Sequence, residues 1–212
     1  MPTAEQIAGP RDAASGRARG SYAKSDATRG AILDAALEVF AQGGYRAGSL
    51  REVASRVGLS EPAILHHFRS KSRLLAAVLE RRDDHASQFI DEVPEDGIDA
   101  MHGLVALARY NASEPGVVEL YCTLSAEATA PSHPAHDYFV RRYQMLRHAM
   151  FVSFSNLEAR GLLRPGVTPD LAARSTLAMM DGLQVQWLLD RSTLDMAEDL
   201  RAHLRRLTTI EI

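Results

Sequence analysis

Cysteine is almost missing from these 212 residues: Cys122 stands alone, which excludes an internal disulfide and a cysteine-rich zinc site. Aromatic residues make up only 6% of the chain, with a single tryptophan. No apolar run approaches the ~18 residues that a bilayer crossing requires, so no membrane span is expected. The N-terminus lacks the apolar segment of a secretory signal, which makes the cytoplasm the expected compartment. Catalytic motifs are missing as well: there is no glycine-rich phosphate loop, no nucleophile motif and no HExxH pair. Neither a catalytic site, a metal nor an organic cofactor is therefore expected. His133 and His136, in SHPAH, resemble a metal pair only loosely, with no acidic or cysteine ligand at helical spacing, and read as loop residues. Cys122, between Leu120 and Leu124, reads as packing rather than an oxidant sensor. What remains is an apolar fraction of 46%, ample for the core of one large domain or two modest ones.

The most informative stretch is SLREVASRVGLSEPAILHHFRSK, residues 49–71. Ser49 and Glu52 form S-x-x-E, in which the serine hydroxyl accepts from the Glu52 N–H while the glutamate reaches back to the Ser49 N–H. A helix therefore starts at Leu50. Leu50, Val53, Ala54 and Val57 share one face of a 3.6-residue period, and Gly58 permits the positive φ that ends it. Ser60 caps the next helix, and Pro62 fits its first turn, where an N–H would lack an intrahelical partner anyway. Ile64 and Phe68 point inward, leaving Glu61, Ala63, Leu65, His66 and His67 over the outward and flanking faces. Two short helices joined by such a turn offer the second to a DNA major groove.

Charge supports that reading. Residues 1–82 carry 13 Lys and Arg against 8 Asp and Glu, whereas residues 83–212 carry 11 against 19. A basic half around the second short helix suits a polyphosphate, and an acidic remainder keeps the other surface off DNA.

Residues 1–27 are rich in Ala, Gly, Ser, Arg and Pro without apolar periodicity, and are expected to form a disordered basic arm whose Arg17, Arg19 and Lys24 are solvated or lie along phosphates. Thr28 opens a helix to about Gln42, with Ile32, Ala36 and Phe40 on one stripe and Gly43 and Gly44 as its stop. Ser70 caps a fourth helix, extending to about Phe89 before Pro94. Turn signals divide the rest into five helices, roughly 96–112, 115–128, 136–160, 169–189 and 194–207. The expected fold is all-α: a three-helix helix-turn-helix head over residues 28–82 and a helical body over residues 83–212.

Thr28-Arg-Gly-Ala-Ile-Leu, Ala36, Phe40, Gly44-Tyr45, Leu50-Arg-Glu-Val-Ala, Gly58-Leu-Ser, His67-Phe68 and Ser70-Lys71 together resemble the N-terminal domain of TetR-family transcriptional regulators. The body resembles the family in helix number and in DGLQVQWLLD, Asp181 to Asp190. The resemblance implies a nine-helix homodimer whose last two long helices form a four-helix bundle, with a small-molecule pocket in each body and a DNA operator as partner. Arg51 matches a DNA-contact position of the family; its guanidinium can grip guanine O6 and N7, and the alternative is a surface arginine paired with Glu52 or Glu61. His67 matches a position that faces phosphate. The family usually has tyrosine where this chain has Leu65, a glycine or lysine-glycine near Glu61-Pro62, and often glutamate at Ser72. Leu65 cannot bond a phosphate but can meet a thymine methyl, as can Ala63.

Lys71, at the start of the fourth helix, is expected to hold a phosphate beside free helix N–H groups, with Ser49 as a second phosphate contact. Glu61 either accepts from cytosine N4 or simply favours the helix dipole; the second fits its place better. His66 is a further DNA candidate. For a largely apolar effector the body offers Met101, Leu104, Tyr121, Phe139, Tyr143, Met179, Gln184 and Trp187, all of which ordinary core packing would equally use. Leu177, Met180, Leu183, Trp187 and Leu188 give the eighth helix an apolar face wide enough for a twofold interface. The expected function is a ligand-responsive DNA-binding regulator, a repressor on a palindromic operator. The alternatives are a helical protein-binding adaptor or an enzyme with a hidden site.

Overall fold

A computed structural model describes residues 13–89 and 97–212, with side chains described from residue 25 in the first stretch. Among the described residues the chain forms nine helices and no strand; Leu163 and Thr208 meet in an isolated β-bridge. The helices are α1 (Ala13–Ala47), α2 (Leu50–Arg56), α3 (Glu61–Phe68), α4 (Lys71–Ala86), α5 (Gly97–Ser113), α6 (Pro115–Glu127), α7 (His136–Ala159), α8 (Pro169–Leu189) and α9 (Met196–Leu207).

One expectation is corrected at the N-terminus. Residues 1–12 of the supposed disordered arm lie outside the described residues, but from Ala13 the backbone is already helical. No proline intervenes between Pro10 and Pro62, and alanine is the commonest residue over 13–27. Once the packed half of α1 is formed, further turns carry no new nucleation cost, so even a stretch without an apolar stripe continues the helix. The side chains of Arg17, Arg19 and Lys24 lie outside the described residues. At the other end of the head α4 stops at Ala86 rather than Phe89, and Pro94 is outside the described residues.

Serine hydroxyls cap three consecutive head helices. Ser49 accepts from the Glu52 N–H at 3.1 Å, Ser60 from the Ala63 N–H at 3.4 Å and Ser70 from the Arg73 N–H at 3.1 Å. Each meets one of the backbone donors that a helix start leaves unpaired. The reciprocal half of the expected capping box is replaced, because the Glu52 carboxylate turns to Arg56 at 3.0 Å. Gly58 has φ 66°, as the end of α2 requires.

Ile32, Ala36 and Phe40 are fully buried and join Val53, Ile64, Phe68, Leu74 and Val78 into the head core. That core does not end at residue 82: Leu120, Tyr121 and Leu124 of α6 and Phe139 of α7 belong to it. A second core joins Met101, Leu104, Phe154, Leu157, Leu200 and Leu204. Leu177, Leu183 and Trp187 sit in this second core at 8%, 7% and 6% exposure, with Met180 and Leu188 half-buried against it. The five residues assigned to a twofold interface thus mostly face their own subunit. The wide apolar face is wide because α8 packs on α6, α7 and α9.

Replacing Phe40 with alanine removes a fully buried ring from the core shared by head and body. Urea titration is expected to report a loss of about 3–5 kcal/mol.

Candidate nucleic-acid interface and its link to the body

Ile64 and Phe68 anchor α3 from behind, so its remaining side chains face outward. Glu61, Leu65 and His66 are exposed, Leu65 at 37%, and Ala63 and His67 are half-buried. The His67 ring lies 6.4 Å from that of Phe68 and 5.8 Å from that of His66. His66 is therefore the freer of the two imidazoles. An exposed leucine flanked by alanine and histidine offers methyl contacts and ring nitrogens along one short helix.

Six arginines of the head fall into two groups. Arg56 is held by Glu38 at 2.6 Å and Glu52 at 3.0 Å, and Arg81 is ion-paired with Asp34 and donates to the Gly30 carbonyl at 3.3 Å. Arg46, Arg51, Arg69 and Arg73 are exposed and make no side-chain ion pair among the described residues. Arg51 is paired with neither Glu52 nor Glu61, so its five donors are free. Ser49 is exposed, and while its oxygen accepts from Glu52, its own hydrogen can be given to a phosphate. Arg69 takes φ 62°, a left-handed conformation that turns the chain sharply between α3 and α4. Arg46, Arg69 and Arg73 are not marked out by spacing or motif; only the lack of acidic partners in the fold sets them apart.

Lys71 departs from expectation. Its Nζ donates to the Arg46 carbonyl at 3.3 Å and stands 4.5 Å from the centre of the Tyr45 ring. Burial pushes its pKa below the ordinary lysine value, against an upward pull from Glu127. A half-buried ammonium stacked on an aromatic face is attracted there by the ring quadrupole. Lys71 thus ties the start of α4 to the end of α1.

The same end of α1 is fixed to the body. Gly44 adopts φ 67°, a conformation that favours glycine, and a Cβ there would displace the Glu127 carboxylate of α6. Glu127 Oε2 accepts from the Tyr45 N–H at 2.8 Å. Behind it, His133 is buried, and its Nδ1 accepts from the Ala135 N–H at 3.2 Å. The neutral ring therefore carries its hydrogen on Nε2. That atom stands 3.2 Å from Glu127 Oε2 without the alignment of a hydrogen bond, leaving a charge–dipole attraction. The His133 ring also meets Tyr45 edge-on at 5.3 Å. His133, in the loop between α6 and α7 as expected, is thus also part of a joint between α1 and α6. No sequence signal pairs Glu127 with a residue 82 positions away.

A second joint holds the end of α4. The Asp83 carboxylate accepts from Arg82 at 3.1 Å and from the Tyr138 hydroxyl at 2.7 Å and is ion-paired with Arg142 at 2.9 Å, linking α4 to α7. Arg82 also covers the Tyr121 ring at 4.2 Å.

The eight residues assigned to an effector do not line one cavity. Met101 and Leu104 border a void of about 20 Å³ with Leu146 and Met150, and Gln184 borders one of about 10 Å³ with Asn111, Met180 and Leu183. Each holds at most a water. Tyr121 stacks on Phe139 at 5.3 Å, Met179 packs on the second core, and Trp187 lies under Arg191 at 4.9 Å. Phe139 and Tyr143 alone reach a larger space, a groove of about 300 Å³ between α6 and α7. The Tyr143 hydroxyl donates to Asp181 at 2.9 Å, and burial raises the Asp181 pKa. Burial pushes the Cys122 thiol up to about 11, which holds it in the unreactive thiol form.

Replacing Glu127 with alanine is expected to free Tyr45 without opening the head core. Amide hydrogen exchange should speed up at Tyr45 and the start of α2 and stay slow at Phe40 and Leu74.

Residues 32–78 match the family model of bacterial regulatory proteins of the tetR family, and residues 110–209 match that of the BetI-type transcriptional repressor C-terminal domain. Over 77 residues the chain is 43% identical to the HTH-type transcriptional activator FasR of Mycolicibacterium smegmatis, spanning 36% of this chain and only 35% of FasR. It is 36% identical over 95 residues to the HTH-type transcriptional regulator TtgW of Pseudomonas putida, spanning 45% of this chain and 69% of TtgW. The crystal structure of NalD, the secondary repressor of the MexAB-OprM multidrug efflux pump in Pseudomonas aeruginosa, has the same fold. It superposes with a TM-score of 0.67 at 26% identity over 87% of this chain and 97% of NalD.

Proposed function

This chain belongs to the TetR family of DNA-binding transcriptional regulators, and from that premise we propose that it represses a promoter as a cytoplasmic homodimer on a palindromic operator, released by a small, largely apolar effector. The observation that carries the reading is the unpaired, exposed Arg51 on α2 together with the outward face of α3, which Ile64 and Phe68 brace from behind. Arg51 reads a base, while Ala63, Leu65 and His66 line the same groove and Ser49 and His67 meet phosphates. Glu61 favours the dipole of α3. The repressor sense is supported by the resemblance of the body to a repressor C-terminal domain.

The homodimer uses the outer face of α8. Leu171, Val185 and Leu189 are 50%, 49% and 82% exposed and fall on one stripe with Ala178, and Phe151 of α7 is 44% exposed. A row of large apolar side chains left open on a helix pair is the usual mark of an isologous contact. Two heads then meet successive major grooves about 34–36 Å apart. An effector that prefers another head spacing lowers operator affinity, and typical couplings of about 1–3 kcal/mol give roughly 5- to 150-fold.

Binding-site selection from random duplexes is expected to return one palindromic sequence; recovery of unrelated sequences would sink the regulator reading. On that operator, Arg51→Ala should cost about 1–3 kcal/mol in specific binding and relax the preference at one base pair, with little change in binding to random DNA. Mobility shifts across a salt series separate the two effects. Val185→Asp should convert the dimer to monomer in sedimentation velocity and abolish operator binding while leaving the helical circular dichroism intact.

A further inference from the structure

The groove between α6 and α7 has room for a small ligand, about 300 Å³. Its floor is apolar, from Ala128, Phe139 and Val140, with Val140 42% exposed. Its one charged lining side chain is a cation, beside the hydroxyls of Ser125, Thr129 and Tyr143 and the His136 ring. Arg147 is exposed and makes no ion pair among the described residues, and no carboxylate lines the groove. Glu127, next to Ala128 in sequence, is turned to Tyr45, and Asp181 accepts from Tyr143. On α7 the lining positions 136, 139, 140, 143 and 147 follow one helical face, which Asp137 does not share.

The end of the groove adds to this. His136 opens α7, whose N-cap residue, Ala135, supplies no side-chain acceptor, so the positive end of a 24-residue helix lies at the groove. The His136 ring is oriented by its Nδ1, which lies 2.8 Å from the Ala128 carbonyl. A carbonyl only accepts, so Nδ1 carries a hydrogen and Nε2 is left to the surroundings. One guanidinium and a helix N-terminus around an apolar floor are complementary to a molecule with a hydrocarbon body and a negative head.

Resting on the regulator reading above, we infer that this groove binds the effector, and that the effector is a small amphipathic anion: an aliphatic or arylaliphatic carboxylate with its carboxylate at Arg147 and its chain over Phe139 and Val140. The position of the groove supplies a route to DNA. Ala128 and Thr129, which line it just beyond the end of α6, directly follow Glu127, and Glu127 holds Tyr45 at the end of α1. A chain that wedges α6 from α7 shifts that carboxylate and with it the Tyr45 N–H that it holds at the end of α1. The head then turns relative to the body.

Octanoate serves as the probe, with octylamine as its cationic counterpart, titrated calorimetrically into the full chain without DNA. Octanoate is expected to bind saturably and octylamine not to. Arg147→Glu should weaken octanoate about tenfold or more, as loss of a charge-assisted contact does, and Arg147→Lys should restore part of it. Arg147 is exposed, so both variants fold, which an unchanged melting temperature verifies. Saturating octanoate should shift operator affinity of the unmodified chain and leave that of Arg147→Glu unchanged. Equal binding of octanoate and octylamine, no binding of octanoate, or equal octanoate affinity in Arg147→Glu overturns the inference, as does an operator affinity that octanoate never alters. A site selection without a palindrome removes the regulator reading instead and leaves the calorimetry to stand or fall by itself.

Discussion

The rest of the molecule depends on the burial of one stripe of α1. Ile32, Ala36 and Phe40 are completely enclosed, and they are enclosed from two sides: by α2, α3 and α4 of the head and by α6 of the body. A helix that lends its apolar face to both units makes them share a core. Close-packed interiors transmit displacement rather than absorb it. The recognition helix is therefore held, through Phe68 and Ile64, by a wall whose other side is α6.

Polar joints add direction to that shared core. Glu127 grips the backbone of Tyr45, Lys71 bridges Tyr45 and Arg46 to α4, and Asp83 gathers Arg82, Arg142 and Tyr138. Such contacts lose strength steeply when a partner moves, because a half-buried charge left without its partner bears its full desolvation cost. Apolar packing alone would let the head slide on the body; these charges define discrete positions. A regulator needs discrete positions, since an effector acts only by its different affinity for two arrangements.

The division of the arginines follows the same logic. Arg56, Arg81, Arg82 and Arg142 are bound to carboxylates and serve the structure, while Arg46, Arg51, Arg69, Arg73 and Arg147 remain open to an outside anion. Composition cannot tell these groups apart. Equal residue types acquire different roles according to whether the fold brings an acid within reach.

What the amino-acid order determined by itself is local. Helix starts at Ser49, Ser60 and Ser70, the turn at Gly58, the inward pair Ile64 and Phe68 and the extents of the body helices all follow from interactions among residues within a few positions of one another, so spacing reveals them. What the tertiary structure decided is everything that joins distant positions. Lys71 was drawn to Tyr45 rather than left open to a phosphate, and Leu177, Leu183 and Trp187 were buried within the subunit while Val185 and Leu189 stayed outside. The candidate effector residues were divided among separate spaces, and Glu127 and His133 were brought against the end of α1. An apolar or charged residue on a helix has several faces it can satisfy, and only the positions of the neighbouring helices choose among them.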